Sequence, residues 1–241
     1  MCVIAWAWKA RPHWPLVVLA NRDERHARAS APLDWWRHAP QILAGRDLEA
    51  GGSWLGVTRG GRFAALTNRA GAGPPGAPSR GELVSGALGH PADFEDEVVD
   101  IEARAAEYAG FNLLIGDGSR LACLSNRDAS QTMRPGIHGM ANGALDEAIP
   151  KVERLKTSLE EWGRTGQAPP FDDWLALLAD ASPASGAEPR SAIFVKHEIY
   201  GTRSSSIVTF GPDGRVVFVE RGFGADGRSL DTRQFEFERA A

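Results

Sequence analysis

Cys2-Val3-Ile4-Ala5-Trp6-Ala7-Trp8, followed by Leu16-Val17-Val18-Leu19-Ala20 running into Asn21-Arg22-Asp23-Glu24, is the stretch on which the fold turns. Residues 2–8 are apolar at odd and even positions alike, which fits a strand covered on both faces. Lys9-Ala10-Arg11-Pro12-His13 reads as a turn with Pro12 as breaker, so the two apolar runs form a hairpin. The quartet at the end of the second strand then stands beside the start of the first. If Met1 is removed, Cys2 carries a thiol and a free α-amine on one Cα. A thiol with a reference pKa of about 8.5 beside an amine of about 7.7–8.0 is a nucleophile with its own base. Asp23, if buried, can accept from that ammonium and hold it in place. Arg22 can lower a thiol's pKa or grip a carboxylate or phosphate through its fork. The plainer reading makes Cys2 a small buried hydrophobe and the quartet a solvated loop.

Outward from this hairpin, residues 25–50 look irregular and carry Trp35-Trp36. Ser53–Val57 and Arg62–Asn68 form a second hairpin around Arg59-Gly60-Gly61. Residues 71–78 hold three prolines and three glycines and form a loop. Helices are expected over 80–88 and 92–108, the second with Val98, Ile101, Ala105 and Tyr108 on one face. Strands at 111–116 and 120–125 flank Asp117-Gly118, a hairpin turn signal. A strand over 137–142 precedes a helix over 151–164, which starts behind Pro150 and carries Val152, Leu155, Leu159 and Trp162 on one stripe. A helix at 171–181, a loop at 181–188 and strands at 191–195, 202–210 and 215–220 complete the reading. Hairpin connections dominate, so the class is α+β with antiparallel sheets, and no linker interrupts a single domain over residues 1–241.

Composition narrows the function classes. The 241 residues are 43% apolar and 24% charged with a formal charge of −4, ordinary for a soluble enzyme or binding protein. No basic stripe points to nucleic acid, and no apolar run approaches a membrane span. The apolar N-terminal run has no basic residue before it and no small-residue cleavage site, unlike a signal peptide. Two distant cysteines make no disulfide framework, which favours the cytoplasm. The histidines lack metal-ligand spacing, Gly51-Gly52-Ser53 lacks the lysine of a phosphate loop, and no Gly-x-Ser-x-Gly elbow occurs. Six of the eight tryptophans lie in the first 54 residues, and Trp35-Trp36 could line an apolar pocket.

Further polar groups stand at strand ends. Asn68 and Asn142 can each present an amide to a cleft, and an amide aimed at a developing oxyanion contributes about 2.7–4 kcal/mol in acyl transfer; the plainer reading of Asn142-Gly143 is a turn. Arg203, in Thr202-Arg203-Ser204-Ser205, is a substrate clamp or an edge charge.

Taken with Gly51-Gly52-Ser53-Trp54-Leu55-Gly56-Val57, Arg62-Phe63-Ala64-Ala65-Leu66-Thr67-Asn68, Phe111-Asn112-Leu113-Leu114, Ser125-Asn126-Arg127, His138-Gly139-Met140-Ala141-Asn142-Gly143, Pro150-Lys151-Val152 and Tyr200-Gly201-Thr202-Arg203-Ser204-Ser205, the chain resembles the NRDE family. This is the family of the transport and Golgi organisation protein two. That family is similar in turn to cysteine N-terminal-nucleophile (Ntn) hydrolases such as bile-salt hydrolases and penicillin acylases. The resemblance implies a four-layer αββα sandwich of two antiparallel sheets. It also implies Cys2 as nucleophile and amine base, Asp23 as the anchor of that amine and Asn142 as oxyanion donor. Asn21, Arg22, Glu24, Asn68 and Arg203 would be substrate-binding. Met140-Ala141-Asn142 stands where relatives carry Leu-Ser-Asn, and no Pro-Trp occurs near Ile149-Pro150; neither change removes a reactive group. The implied activity is hydrolysis of a small non-peptide amide or thioester, with no cofactor or metal required. The alternative is a non-catalytic carrier of haem or acyl-coenzyme A in trafficking, using the same cleft.

Overall fold

The computed structural model describes residues 2–91, 93–183, 186, 188 and 191–240. In chain order the elements are β1 (Val3–Arg11), β2 (Trp14–Arg25), β3 (Ser30–Trp36), β4 (Ala39–Asp47), β5 (Leu55–Thr58), β6 (Phe63–Asn68), α1 (Gly81–Gly89) and α2 (Phe94–Arg104). There follow β7 (Phe111–Gly116), β8 (Leu121–Ser125), β9 (Gln131–Thr132), β10 (Gly136–Met140), α3 (Pro150–Thr165), α4 (Phe171–Leu178), β11 (Tyr200–Phe210), β12 (Arg215–Phe223) and β13 (Ser229–Glu238). They fall into two compact units: Met1–Ala27, Pro135–Ala141 and Leu145–Phe237 make the first, Arg28–Arg134, Asn142–Ala144 and Glu238–Ala241 the second.

The first unit is a six-stranded sheet in the order β10-β1-β2-β11-β12-β13. Val3, Ala5, Ala7, Val17 and Leu19 line one face and form a core with Val152, Leu155, Leu159 and Trp162 of α3 and Trp174, Leu175 and Leu178 of α4. Ile4, Trp6, Trp8, Leu16 and Val18, which alternate with them, are buried too. That accounts for the unbroken apolar runs, since a strand buried on both faces has no polar side to show. Trp162 meets Trp174 edge-on at a centroid distance of 5.4 Å, a pair worth about 0.5–1.5 kcal/mol beyond its area. Pro150 occupies the first turn of α3, and Gly166, with φ 71°, closes its end.

Arg154 of α3 also grips Asp180 just beyond α4. The guanidinium, with the Ser182 hydroxyl and amide, holds the Asp180 carboxyl down to about 2. Its folded value lies below its unfolded one, so its stabilisation is present above about pH 4 and lost as pH falls through about 2. Both side chains are about a third exposed, so the contribution is at most about 1 kcal/mol. Asp180→Asn is expected to lower the urea midpoint at pH 7 and to flatten its decline between about pH 4 and 2. A variant whose midpoint tracks the parent at every pH would show that the pair contributes nothing.

The second unit is a seven-stranded antiparallel meander, β3-β4-β5-β6-β7-β8-β9. One face packs on α1 and α2 through Ala64, Leu66, Phe111, Leu113, Ile115, Val84, Leu88, Phe94 and Ile101. At Gly52 a Cβ would lie 2.4 Å from the Gly81 carbonyl carbon, so only glycine lets the chain pass beneath the start of α1.

The α+β class with two antiparallel sheets is therefore the observed one. Three segments differ from the sequence reading, and β13 lies where that reading assigned no element. The quartet Asn21–Glu24 lies inside β2 rather than beyond its end, because β11 pairs with β2 from Leu16 as far as Arg25. Residues 25–50 contain the hairpin β3–β4; register shifts at Ala31/Asp34 and Trp35/Trp36 break the alternation that would have revealed it. Residues 191–195 form no ladder strand. β11 carries one further irregularity: Thr202 pairs with Asp23 and Ser204 with Arg22, which leaves Arg203 as an extra residue.

Candidate active site

The first unit gathers most of the singled-out side chains on β1, β2 and β11. Val3 is paired with Asn21 in the β1–β2 register, so Cys2 heads the strand next to the quartet. Asn21 is 1% exposed. Its amide donates to the carbonyls of Leu178 (2.8 Å) and Ile193 (2.9 Å), and its carbonyl accepts from the Ser205 hydroxyl (2.6 Å). All these atoms are engaged in tying β2 and β11 to the end of α4, so Asn21 positions the quartet rather than reaching for a ligand.

Asp23 shares that face, and its carboxylate is fully buried. Oδ1 accepts from the Thr202 hydroxyl at 2.7 Å, and that hydroxyl accepts in turn from the Val195 amide at 2.9 Å. The Tyr200 hydroxyl donates to the Asp23 carbonyl at 2.9 Å. Oδ2 lies 3.7 Å from Nζ of Lys151, itself 3% exposed. Burial pushes the carboxyl above its ordinary value, while Lys151 and Thr202 pull the other way. Lys151 escaped the sequence reading, although the signal was present: it continues the apolar stripe of α3 one turn before Leu155. A cation there is buried and sits in a first helical turn, where the macrodipole disfavours it.

Cys2 is buried, and no disulfide joins it to Cys123. Met1, whose removal the sequence argument requires, lies outside the described residues. Arg22 alternates with Asn21 and Asp23, so it lies on the opposite face with Ala20, where it is buried; Glu220 is buried on the same face, paired with Ser206 opposite Ala20. Glu24 is half-buried and accepts from the Arg25 amide at 2.8 Å. The extra residue Arg203 donates through Nη1 to the His26 carbonyl at 2.6 Å, which fixes the turn after β2.

Asn68 and Asn142 belong to the second unit. Asn68 ends β6, and its carbonyl accepts from Asn142 Nδ2 at 2.5 Å. That bond fixes which way the Asn142 amide faces and leaves Nδ2 a second hydrogen; Oδ1 is buried with no acceptor role among the described residues. Asn112 holds the following turn, donating to the Gly143 carbonyl at 2.9 Å and the Thr67 hydroxyl at 3.3 Å. Among the described residues no group of three His, Cys, Asp or Glu is placed to hold a metal ion, and no helix is long and apolar enough to cross a membrane.

Two antiparallel sheets, each packed with helices, are an arrangement similar to the Ntn-hydrolase fold. The chain is similar to the solved Caenorhabditis elegans N-acylethanolamine-hydrolyzing acid amidase ortholog, with a TM-score of 0.54 and 10% identity over 86% of this chain and 92% of that one. It belongs to the Transport and Golgi organisation 2 family, whose model matches residues 1–225. The bovine and human Transport and Golgi organization protein 2 homologs are each 31% identical to it over 98% of this chain and 99% of theirs. The Drosophila melanogaster Transport and Golgi organization protein 2 is 32% identical over 91% of both.

Proposed function

We propose that this chain is a cysteine Ntn hydrolase that cleaves a small non-peptide amide or thioester. The carrying observation is the buried Asp23 carboxylate, held by Thr202 and Lys151 on the strand paired with the one that Cys2 heads. A raised, buried carboxyl works against folding. Holding an N-terminal amine gives it a purpose that a carrier of haem or acyl-coenzyme A lacks. The name of the solved neighbour, an amidase of N-acylethanolamines, agrees with a small acyl amide as the substrate class.

In this reading the α-amine takes the Cys2 thiol proton and Sγ bonds to the substrate carbonyl carbon, whose π pair moves to oxygen. Collapse of the tetrahedral adduct expels the amine or thiol, which carries off the ammonium's proton. Water then attacks the acyl thioester and gives one proton to the amine. The adduct reopens, releasing the carboxylic acid, and Sγ leaves as thiolate and recovers that proton.

Intact-mass analysis is expected to find Met1 absent, and limiting iodoacetamide to label Cys2 ahead of Cys123. A p-nitrophenyl thioester should leave an acyl mass on the parent and none on Cys2→Ala. Folded protein that retains Met1 would end the amine-base mechanism. A Cys2→Ala chain that still binds haem or acyl-coenzyme A, beside a parent that never acylates, would support the carrier instead.

A further inference from the structure

Lys151 is costly to explain by packing. Its side chain is 3% exposed, on a stripe that continues through Leu155 and Leu159, and an apolar residue would fill the place without desolvating a charge. Its position is also tightly determined. At Gly139 of β10 a Cβ would lie 2.5 Å from Val152 Cγ1 and 3.3 Å from the Ile4 carbonyl oxygen. Glycine there lets the first turn of α3 settle onto β10 and β1, at the end where Cys2 begins the strand. This seating brings Lys151 Nζ to within 3.7 Å of Asp23 Oδ2.

We propose that Lys151 is a positioning residue of this site: its ammonium occupies Asp23 from the α3 side, so that the α-amine of residue 2 is held there as the free base. The inference rests on the Ntn reading above. In that reading Asp23 faces two cations, the Lys151 ammonium and the N-terminal ammonium. One carboxylate neutralises one of them. With Lys151 in place, protonating the α-amine adds an uncompensated positive charge in a buried setting, so the neutral amine is favoured. A free-base amine is what the step needs, since it takes the proton from Sγ.

The other ionisable groups on the surrounding elements have different positions or partners. Arg22 and Glu24 flank Asp23 on β2, and Arg22 lies on the opposite face. On β11, Arg203 is bound to the His26 carbonyl and Tyr200 to the Asp23 carbonyl. Glu220 of β12 shares the Arg22 face. On α3, Arg154 holds Asp180 and Lys156 meets Asp146 and Glu153; on β10, His138 is bound to Asp146. Among the described residues, Lys151 Nζ stands 3.7 Å from Asp23 Oδ2.

The test is the pH dependence of Cys2 acylation by a p-nitrophenyl thioester in the full chain, the step in which the amine acts as base. Met1 removal is verified by intact mass, and Cys123 is read in the same digests as reference. Lys151→Met, which keeps the stem and loses the charge, leaves more of the amine protonated and is expected to slow Cys2 acylation roughly tenfold at pH 7, with the rate recovering at higher pH. Lys151→Arg is expected to stay within about threefold of the parent, and Cys123 to be unmoved in both. Should the methionine variant not fold, Lys151→Gln is read in the same way. A Cys2 profile unchanged by loss of the charge, or as badly shifted in Lys151→Arg, overturns the proposal while the Ntn reading stands. Parent protein that retains Met1, or whose Cys2 reacts no faster than Cys123, overturns both.

Discussion

Asp23→Ala is expected to destabilise the protein by about 3–5 kcal/mol, because it strands the Lys151 ammonium in a site 3% exposed. The Thr202 hydroxyl loses its acceptor at the same time. Against a typical total stability of about 5–15 kcal/mol, this is a large fraction. The pair itself is a poor source of stability, since desolvating two charges offsets most of their attraction. Asp23→Leu combined with Lys151→Met is therefore expected to recover most of the loss. The pH dependence adds a second signature. A carboxyl raised in the folded state binds its proton more readily there than in the unfolded chain. Its contribution to stability thus falls as pH rises from below its ordinary value through its raised one, and both variants should lack this decline. Urea unfolding of the parent, single and double variants checks all three statements. A single variant as stable as the double would show that no charge was stranded.

Asn21→Ala is expected to cost about 3–6 kcal/mol. It removes the donors for the Leu178 and Ile193 carbonyls and the acceptor for the Ser205 hydroxyl, and each buried group left unmatched costs about 1–3 kcal/mol. The carbonyls belong to the end of α4 and to the segment before β11, so the damage should appear as loosening of that region. Amide exchange at Ala179–Ser182 and Ile193–Val195 should quicken well before exchange in β7 and β8. A loss below about 1 kcal/mol would mean that those carbonyls find other donors.

The hairpin was legible because the apolar runs at 2–8 and 16–20 obey no alternation, and both faces of β1 and β2 are indeed buried. The stripe of α3 and the turn at Asp117-Gly118 were equally plain. Residues 191–195 misled for a physical reason. Their apolar side chains are buried as a strand's would be, but their backbone bonds go elsewhere. Ile193 gives its carbonyl to Asn21, Phe194 its amide to the Asp180 carbonyl, and Val195 bonds with Thr202 through both its amide and its carbonyl. Periodicity reports burial, and it cannot report who takes the hydrogen bonds. In the site, the quartet was visible as polar residues after an apolar run. Its division into Asn21 as a tie, Asp23 as a charge and Arg22 on the opposite face follows from strand alternation, which a loop reading had concealed. Lys151 required knowing that α3 lies against Asp23, a contact separated by more than a hundred residues.

The extra residue in β11 bears on how this chain can change over generations. Thr202 and Ser205 stand three apart, and in an unbroken strand such residues face opposite ways. With Arg203 unpaired, both hydroxyls fall on the face of Asn21 and Asp23 and bind them. The spacing between Thr202 and Ser205 thus matters more than the identity of the residue that creates it. Deleting one codon there would turn Thr202 away from Asp23 and dismantle the site without altering any residue that composes it. At this place the lineage is constrained in length, and reading-frame-preserving insertions or deletions should be purged even where substitutions at 203 survive.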